Sequence, residues 1–138
     1  MRTAGRGCDA ASVRCLIVDD SRGFLAAARR LLDREGITVA GVASSGEEAL
    51  LRTEELRPDV VLVDIDLGGE SGLELAGRLH RRTGPAPLQT ILISTHAEQD
   101  YRDLIAASPA VGFLPKATLS ARAIHELLGN ATNWSREM

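Results

Sequence analysis

Asp19, Asp20, Asp64, Ser94 and Lys116 could do chemistry together, because each stands at or just past the end of an apolar, strand-like run. The runs are Cys15–Val18 ahead of Asp19 and Asp20, Val60–Val63 ahead of Asp64, Ile91–Ile93 ahead of Ser94, and Val111–Pro115 ahead of Lys116. Lys116 is the only lysine among 16 Lys and Arg residues, so a compact ammonium occurs once, at the mouth of a buried segment. Carboxylates are hard oxygen donors suited to a divalent cation, and an ammonium with a hydroxyl can hold phosphoryl oxygens. Two bare carboxylates ~4 Å apart repel by about 4 kcal/mol at an effective dielectric near 20, so an acidic cluster has reason to bind a dication.

Such residues act together only if the fold gathers strand ends. Arg14–Val18 reads as a continuous apolar strand, and Ser21 can cap a helix running to about Glu35, with Phe24, Leu25, Ala28, Leu31 and Leu32 as its stripe and Gly36 as its terminator. Ile37–Ala43 reads as a strand, followed by a helix from Ser45 that must stop before Pro58 and carries Glu47 and Glu48 in its first turn. Asp59–Asp64 is almost pure Val and Leu, which fits a strand covered on both faces. A helix over about Ser71–Arg82, a strand at Leu88–Ser94, a helix at about Glu98–Ala107, a strand at Val111–Leu114 and a helix over Leu119–Leu128 complete the pattern. Gly129 and Asn130 are expected to lead into a polar tail, residues 130–138, with residues 1–12 as a disordered N-terminal tail and 13–129 as the folded domain. Five strands alternating with five helices predict an α/β fold, a doubly wound parallel sheet with right-handed crossovers. Ligands of such sheets bind beyond the carboxyl ends of the strands at the switch point, where the five residues would meet.

Composition narrows the alternatives. A chain of 138 residues with 44% hydrophobic content supports one core and one domain. Aromatics are only 3%, which removes a stacking platform for bases, and the mild charge of −3 argues against a phosphate-backbone surface. No run approaches a membrane span and none resembles a signal sequence, so a cytoplasmic location is expected. Cys8 and Cys15, the two cysteines, have no second Cys or His at metal-ligand spacing, and neither a disulfide nor zinc is expected.

In this order on successive strand ends, the five residues resemble the receiver domain of bacterial two-component response regulators over about Arg14–Leu128. The stretches that carry the resemblance are LIVDDS at Leu16–Ser21, RPDVVLVDIDL at Arg57–Leu67, SGLEL at Ser71–Leu75 and GFLPK at Gly112–Lys116. The resemblance implies a flavodoxin-like strand order 2-1-3-4-5. It makes Asp64 the phosphoacceptor, taking a phosphoryl group from a sensor histidine kinase or phosphotransfer protein, with Lys116 and Ser94 assisting. It makes Mg²⁺ the cofactor, held by Asp20 and Asp64, by Asp19 through a water and by the backbone carbonyl of Asp66. Ser94 and Phe113 would couple phosphorylation to a two-state face built from the fourth helix, fifth strand and fifth helix. The chain would be a phosphoacceptor that assists its own phosphorylation and dephosphorylation rather than an enzyme. Its output would pass to an effector protein, to a C-terminal output domain beyond this sequence, or through a phosphorylation-dependent homodimer, with no nucleic-acid or membrane partner for this domain.

Gly68 stands where the family often has proline, and Ala117 follows the lysine where the family often has a proline with a cis peptide, so a trans bond is expected here. Thr95, larger than the common alanine, would narrow phosphoryl access, while Asp66 and His96 hold variable positions flanking the site. His80, His96 and His125 show no phosphodonor or ligand arrangement and read as surface residues. Two rivals come from other classes. A pseudo-receiver would keep the fold as an interaction module without taking phosphate. Asp64-Ile65-Asp66 echoes a phosphatase DxD nucleophile motif, but its surroundings fail that pattern, and no phosphate loop is present.

Overall fold

The structure, a computed structural model, describes residues 13–83, 88–95 and 101–137. Its sheet is built from β1 (Arg14–Val18), β2 (Thr38–Ala43), β3 (Val60–Asp64), β4 (Gln89–Ser94) and β5 (Gly112–Pro115). The helices are α1 (Arg22–Arg34), α2 (Gly46–Leu56), α3 (Gly72–Thr83), α4 (Arg102–Ala106) and α5 (Ala121–Glu137). All four strand pairings are parallel and the order is β2-β1-β3-β4-β5, so the expected doubly wound architecture is what forms.

Side-chain alternation divides the core into two layers. Cys15, Ile17, Val60, Leu62, Ile91 and Ile93 face one layer, shared with Leu25, Ala28 and Leu32 of α1 and with Ala121 and Ile124 of α5. Leu16, Val18, Val61, Val63 and Leu92 face the other, with Ala49 and Leu50 of α2 and Leu75, Ala76 and Leu79 of α3. The long Val, Leu and Ile runs follow from this: both faces of a central strand are dry, and in β4 the polar residues Gln89 and buried Thr90 stand at its start, ahead of the apolar run that ends at Ser94.

The caps are mostly those expected from the sequence. Ser21 Oγ accepts from the Phe24 N–H at 3.2 Å and Gly36 takes the left-handed conformation after α1, at φ 97°. Ser45 Oγ accepts from the Glu48 N–H at 3.2 Å, and Arg57, at φ 48°, turns the chain out of α2 before Pro58.

The differences have local causes. Between β3 and α3 the chain inserts a tight antiparallel hairpin, Asp66–Leu67 paired with Glu70–Ser71, because Gly68 and Gly69 both adopt positive φ, at 54° and 103°. β5 runs one residue past the expected Leu114, and Lys116–Thr118 form a single 3₁₀ turn. α4 begins at Arg102 within the described residues, without a side-chain cap; the expected start at Glu98 lies outside them. The last helix does not stop at Leu128. It continues to Glu137, so the expected C-terminal tail at 130–137 is helical. Gly129 has no positive φ there, and a glycine inside a helix costs about 1 kcal/mol relative to alanine without ending it. Residues 1–12 and His96 also lie outside the described residues. No cis peptide bond occurs among the described residues, so the Lys116–Ala117 bond is trans as expected.

Candidate functional site

The order of strands reverses between β1 and β3, and the acids sit at that point. Asp19 follows β1 and keeps its ladder one residue longer, its N–H donating to Ala43 O at 3.0 Å. This draws its side chain under the surface: Asp19 is 0% exposed, Asp64 at the end of β3 is 5% exposed, and Asp20 is open to solvent. One carboxylate oxygen from each of Asp19, Asp20 and Asp64 lies within 4.8 Å of the others.

Lys116 reaches the same place from the end of β5. Its Nζ is 2.5 Å from Asp19 Oδ2 and 3.3 Å from Asp64 Oδ2, with the lysine side chain only 14% exposed. The other carboxylate oxygens are held by backbone. Ser21 N–H donates to Asp19 Oδ1 at 2.8 Å, and Asp66 N–H donates to Asp64 Oδ1 at 3.1 Å. Burial raises the Asp64 pKa above the ordinary carboxylate value, and the Asp19 charge adds to it, by more than the Asp66 N–H and Lys116 lower it. Burial works against the charge of Lys116, but Asp19 and Asp64 outweigh it and hold its pKa above the ordinary lysine value.

Charge and donor type together test whether a cation fits. Three carboxylates and one ammonium leave the cluster two charges negative when ionised, and all the carboxylate donors are hard oxygens. Asp19 Oδ2 is buried and pairs with Lys116 Nζ at 2.5 Å, with no backbone donor aimed at it. A divalent oxygen-seeking ion fits this donor set.

The surrounding loop is shaped to leave the acids room. A Cβ on Gly68 would lie 2.6 Å from Asp20 Oδ2, and the positive φ there excludes the proline that the family often carries. Gly72 N–H donates to Ile65 O at 2.7 Å, an approach so close that a Cβ on Gly72 would run into the Asp64 carbonyl. Glu70 Oε1 accepts from the Gly46 N–H at 3.0 Å, fastening the hairpin to the start of α2.

Ser94 ends β4, is 1% exposed, and lies in register with Pro115, immediately before Lys116. Phe113 is buried in the second layer, in register with Leu92, and half-buried Tyr101 and Ile105 pack against that layer. Asp66 is exposed and joins the site through its N–H, while Thr95 is exposed beyond β4. His80 and His125 are exposed as expected. Two partnerships had no sequence signal: the pairing of Lys116 with Asp19, closer than that with Asp64, and the Phe24 ring, whose centroid is 4.5 Å from Lys116 Nζ. Sequence periodicity places Phe24 on a core stripe and cannot show which strand end lies over it.

Among known proteins, the family described as the response regulator receiver domain matches residues 15–128. The chain is 31% identical over 116 residues to the response regulator GacA of Pseudomonas viridiflava, an alignment covering 83% of this chain and 53% of that protein. It is 35% identical over 105 residues to the response regulator UvrY of Escherichia coli K12, covering 75% of this chain and 47% of that one. The chain thus spans about half the length of the curated relatives it matches. Among solved structures it is similar to the signal receiver domain of a modulated diguanylate cyclase from Desulfovibrio desulfuricans G20, with 32% identity, a TM-score of 0.72, and coverage of 91% of this chain and 97% of that one. Among the described residues no helix is long and apolar enough to cross a membrane.

Proposed function

Because this chain belongs to the response regulator receiver family, we propose that it is a phosphorylation switch in which Asp64 accepts a phosphoryl group from a phosphohistidine on a sensor kinase or phosphotransfer protein. The observation that carries this reading is the convergence of one ammonium on two buried acids from separate strands, with Lys116 Nζ 3.3 Å from Asp64 Oδ2. The Asp64 carboxylate attacks phosphorus: an O–P bond forms as the N–P bond to the imidazole breaks, and the electron pair returns to the ring nitrogen. Asp19, Asp20 and Asp64, with the Asp66 carbonyl, would hold a Mg²⁺ ion, which when bound would supply neutralisation of the charge spread over the phosphoryl oxygens. Lys116 serves as the second, fixed cation on that group, and Asp66 N–H holds the carboxylate in its attacking orientation.

The Ser94 hydroxyl then donates to the arriving phosphoryl group, and Phe113 follows it inward, shifting the face formed by α4, β5 and α5 between two arrangements. That face delivers the signal to an effector protein, to an output domain of a longer chain or to a second copy of this one. The folded domain is assigned to residues 13–129, with α5 extending from it, and its place of action to the cytoplasm.

Incubation with a small acyl phosphate and Mg²⁺ tests the reading. The expected product is a single acid-stable, base-labile phosphoryl adduct, absent from Asp64→Asn. A folded wild type that takes up no phosphoryl group, or an Asp64→Asn protein that still does, overturns it.

A further inference from the structure

Lys116 meets an aromatic face as well as the acids. Its Nζ lies 4.5 Å from the centroid of the Phe24 ring, in the first turn of α1, and the ring is half-buried against the first core layer. An ammonium at that distance is attracted by the negative face of the ring, more strongly where water is scarce. The ring is itself held from the site. Phe24 N–H donates to Ser21 Oγ at 3.2 Å, Ser21 N–H donates to Asp19 Oδ1 at 2.8 Å, and Asp19 Oδ2 is 2.5 Å from Lys116 Nζ. Four residues therefore close a circuit of contacts at the start of α1.

We propose that Phe24 is a positioning residue whose ring face keeps the Lys116 ammonium beside Asp64 for phosphoryl transfer. The proposal rests on Asp64 being the phosphoacceptor. A lysine has a flexible four-carbon stem and a strongly hydrated head, so charge pairing alone leaves it rotamers that reach water. The ring removes part of that freedom by attracting the ammonium to its face, 4.5 Å from the centroid.

Lysine occurs once in the chain, so protein grown with ¹³C-lysine reports this side chain alone. In the wild type the Lys116 ε-methylene protons are expected upfield of their usual position, shifted by the ring current, and Phe24→Leu should return them to it. In parallel, phosphorylation by a small acyl phosphate with Mg²⁺ should slow about 2- to 30-fold in Phe24→Leu and recover in Phe24→Trp. Fluorinated phenylalanines placed at position 24, which weaken the negative face at nearly constant shape, should slow it stepwise. A merely packing role would leave the fluorine series flat. Equal rates in wild type and Phe24→Leu, or a flat fluorine series, overturn the proposal while the Asp64 reading stands. A wild type that takes no phosphoryl group overturns both, and the Lys116 signals then still report whether the contact exists.

Discussion

Lys116→Met removes the only cation that the described structure places against Asp19 and Asp64, and keeps an unbranched chain of similar reach. At an effective dielectric near 20, an ammonium 2.5 Å from Asp19 Oδ2 is attracted by about 7 kcal/mol, and one 3.3 Å from Asp64 Oδ2 by about 5 kcal/mol. Much of this gross attraction offsets the cost of burying the ammonium, which the substitution returns. The net loss expected for breaking a buried pair while leaving its anions behind is about 3–5 kcal/mol. Urea unfolding in EDTA at pH 8 measures it, and the loss is a large share of a domain's total stability, ~5–15 kcal/mol. Added Mg²⁺ should change the comparison. A dication at 100 times its dissociation constant stabilises by about 2.7 kcal/mol, and in Lys116→Met it meets a cluster one charge more negative. Its dissociation constant should therefore fall by about tenfold or more, a gain of roughly 1.4 kcal/mol in binding, and the gap between the two proteins should narrow. A loss under ~1 kcal/mol in EDTA, or an identical Mg²⁺ increment in both proteins, would refute the charge balance on which the site reading depends.

Three further outcomes follow from the same geometry. Gly72→Ala should destabilise the protein by about 3 kcal/mol or more in urea unfolding, because the new Cβ meets the Asp64 backbone rather than a side chain that could move aside. Asp64→Asn should raise the melting temperature of the metal-free protein at neutral pH. The folded-state pKa of Asp64 lies above its value of 3.8 in the open chain, so its ionisation costs stability as pH rises through that window, and the gain from Asn should vanish as pH falls below it. Cys15, whose pKa burial pushes up to about 12, should resist a thiol reagent at pH 8 in a Cys8→Ser background until denaturant is added, and labelling of the native protein at the rate of an open thiol would contradict its burial.

Much of this molecule is written locally. The apolar runs ahead of Asp19, Asp64 and Ser94 had to be strands dry on both faces. Ser21, Ser45, Gly36 and Pro58 act on neighbours a few residues away, so the ends of α1 and α2 were readable before any contact was known. The parallel order then follows from alternation and handedness, and it gathers the strand ends whatever else the chain does. The end of α5 was misread because a glycine is a weak stop: its cost is small, and nothing local obliges the helix to end there.

What only the tertiary structure decided is which of those gathered groups touch. Nearly a hundred residues separate Lys116 from Asp19, and no periodicity encodes that the ammonium sits closer to Asp19 than to Asp64, or that Phe24 lies beneath it. Such distances depend on how far α1 tilts, where β5 ends and how the Gly68–Gly69 turn leaves space for Asp20, each set by packing against elements remote in sequence. Residue type and spacing thus specify the ingredients and the end of the sheet where they collect, while sub-ångström placement, which governs electrostatics through distance, belongs to the packed whole.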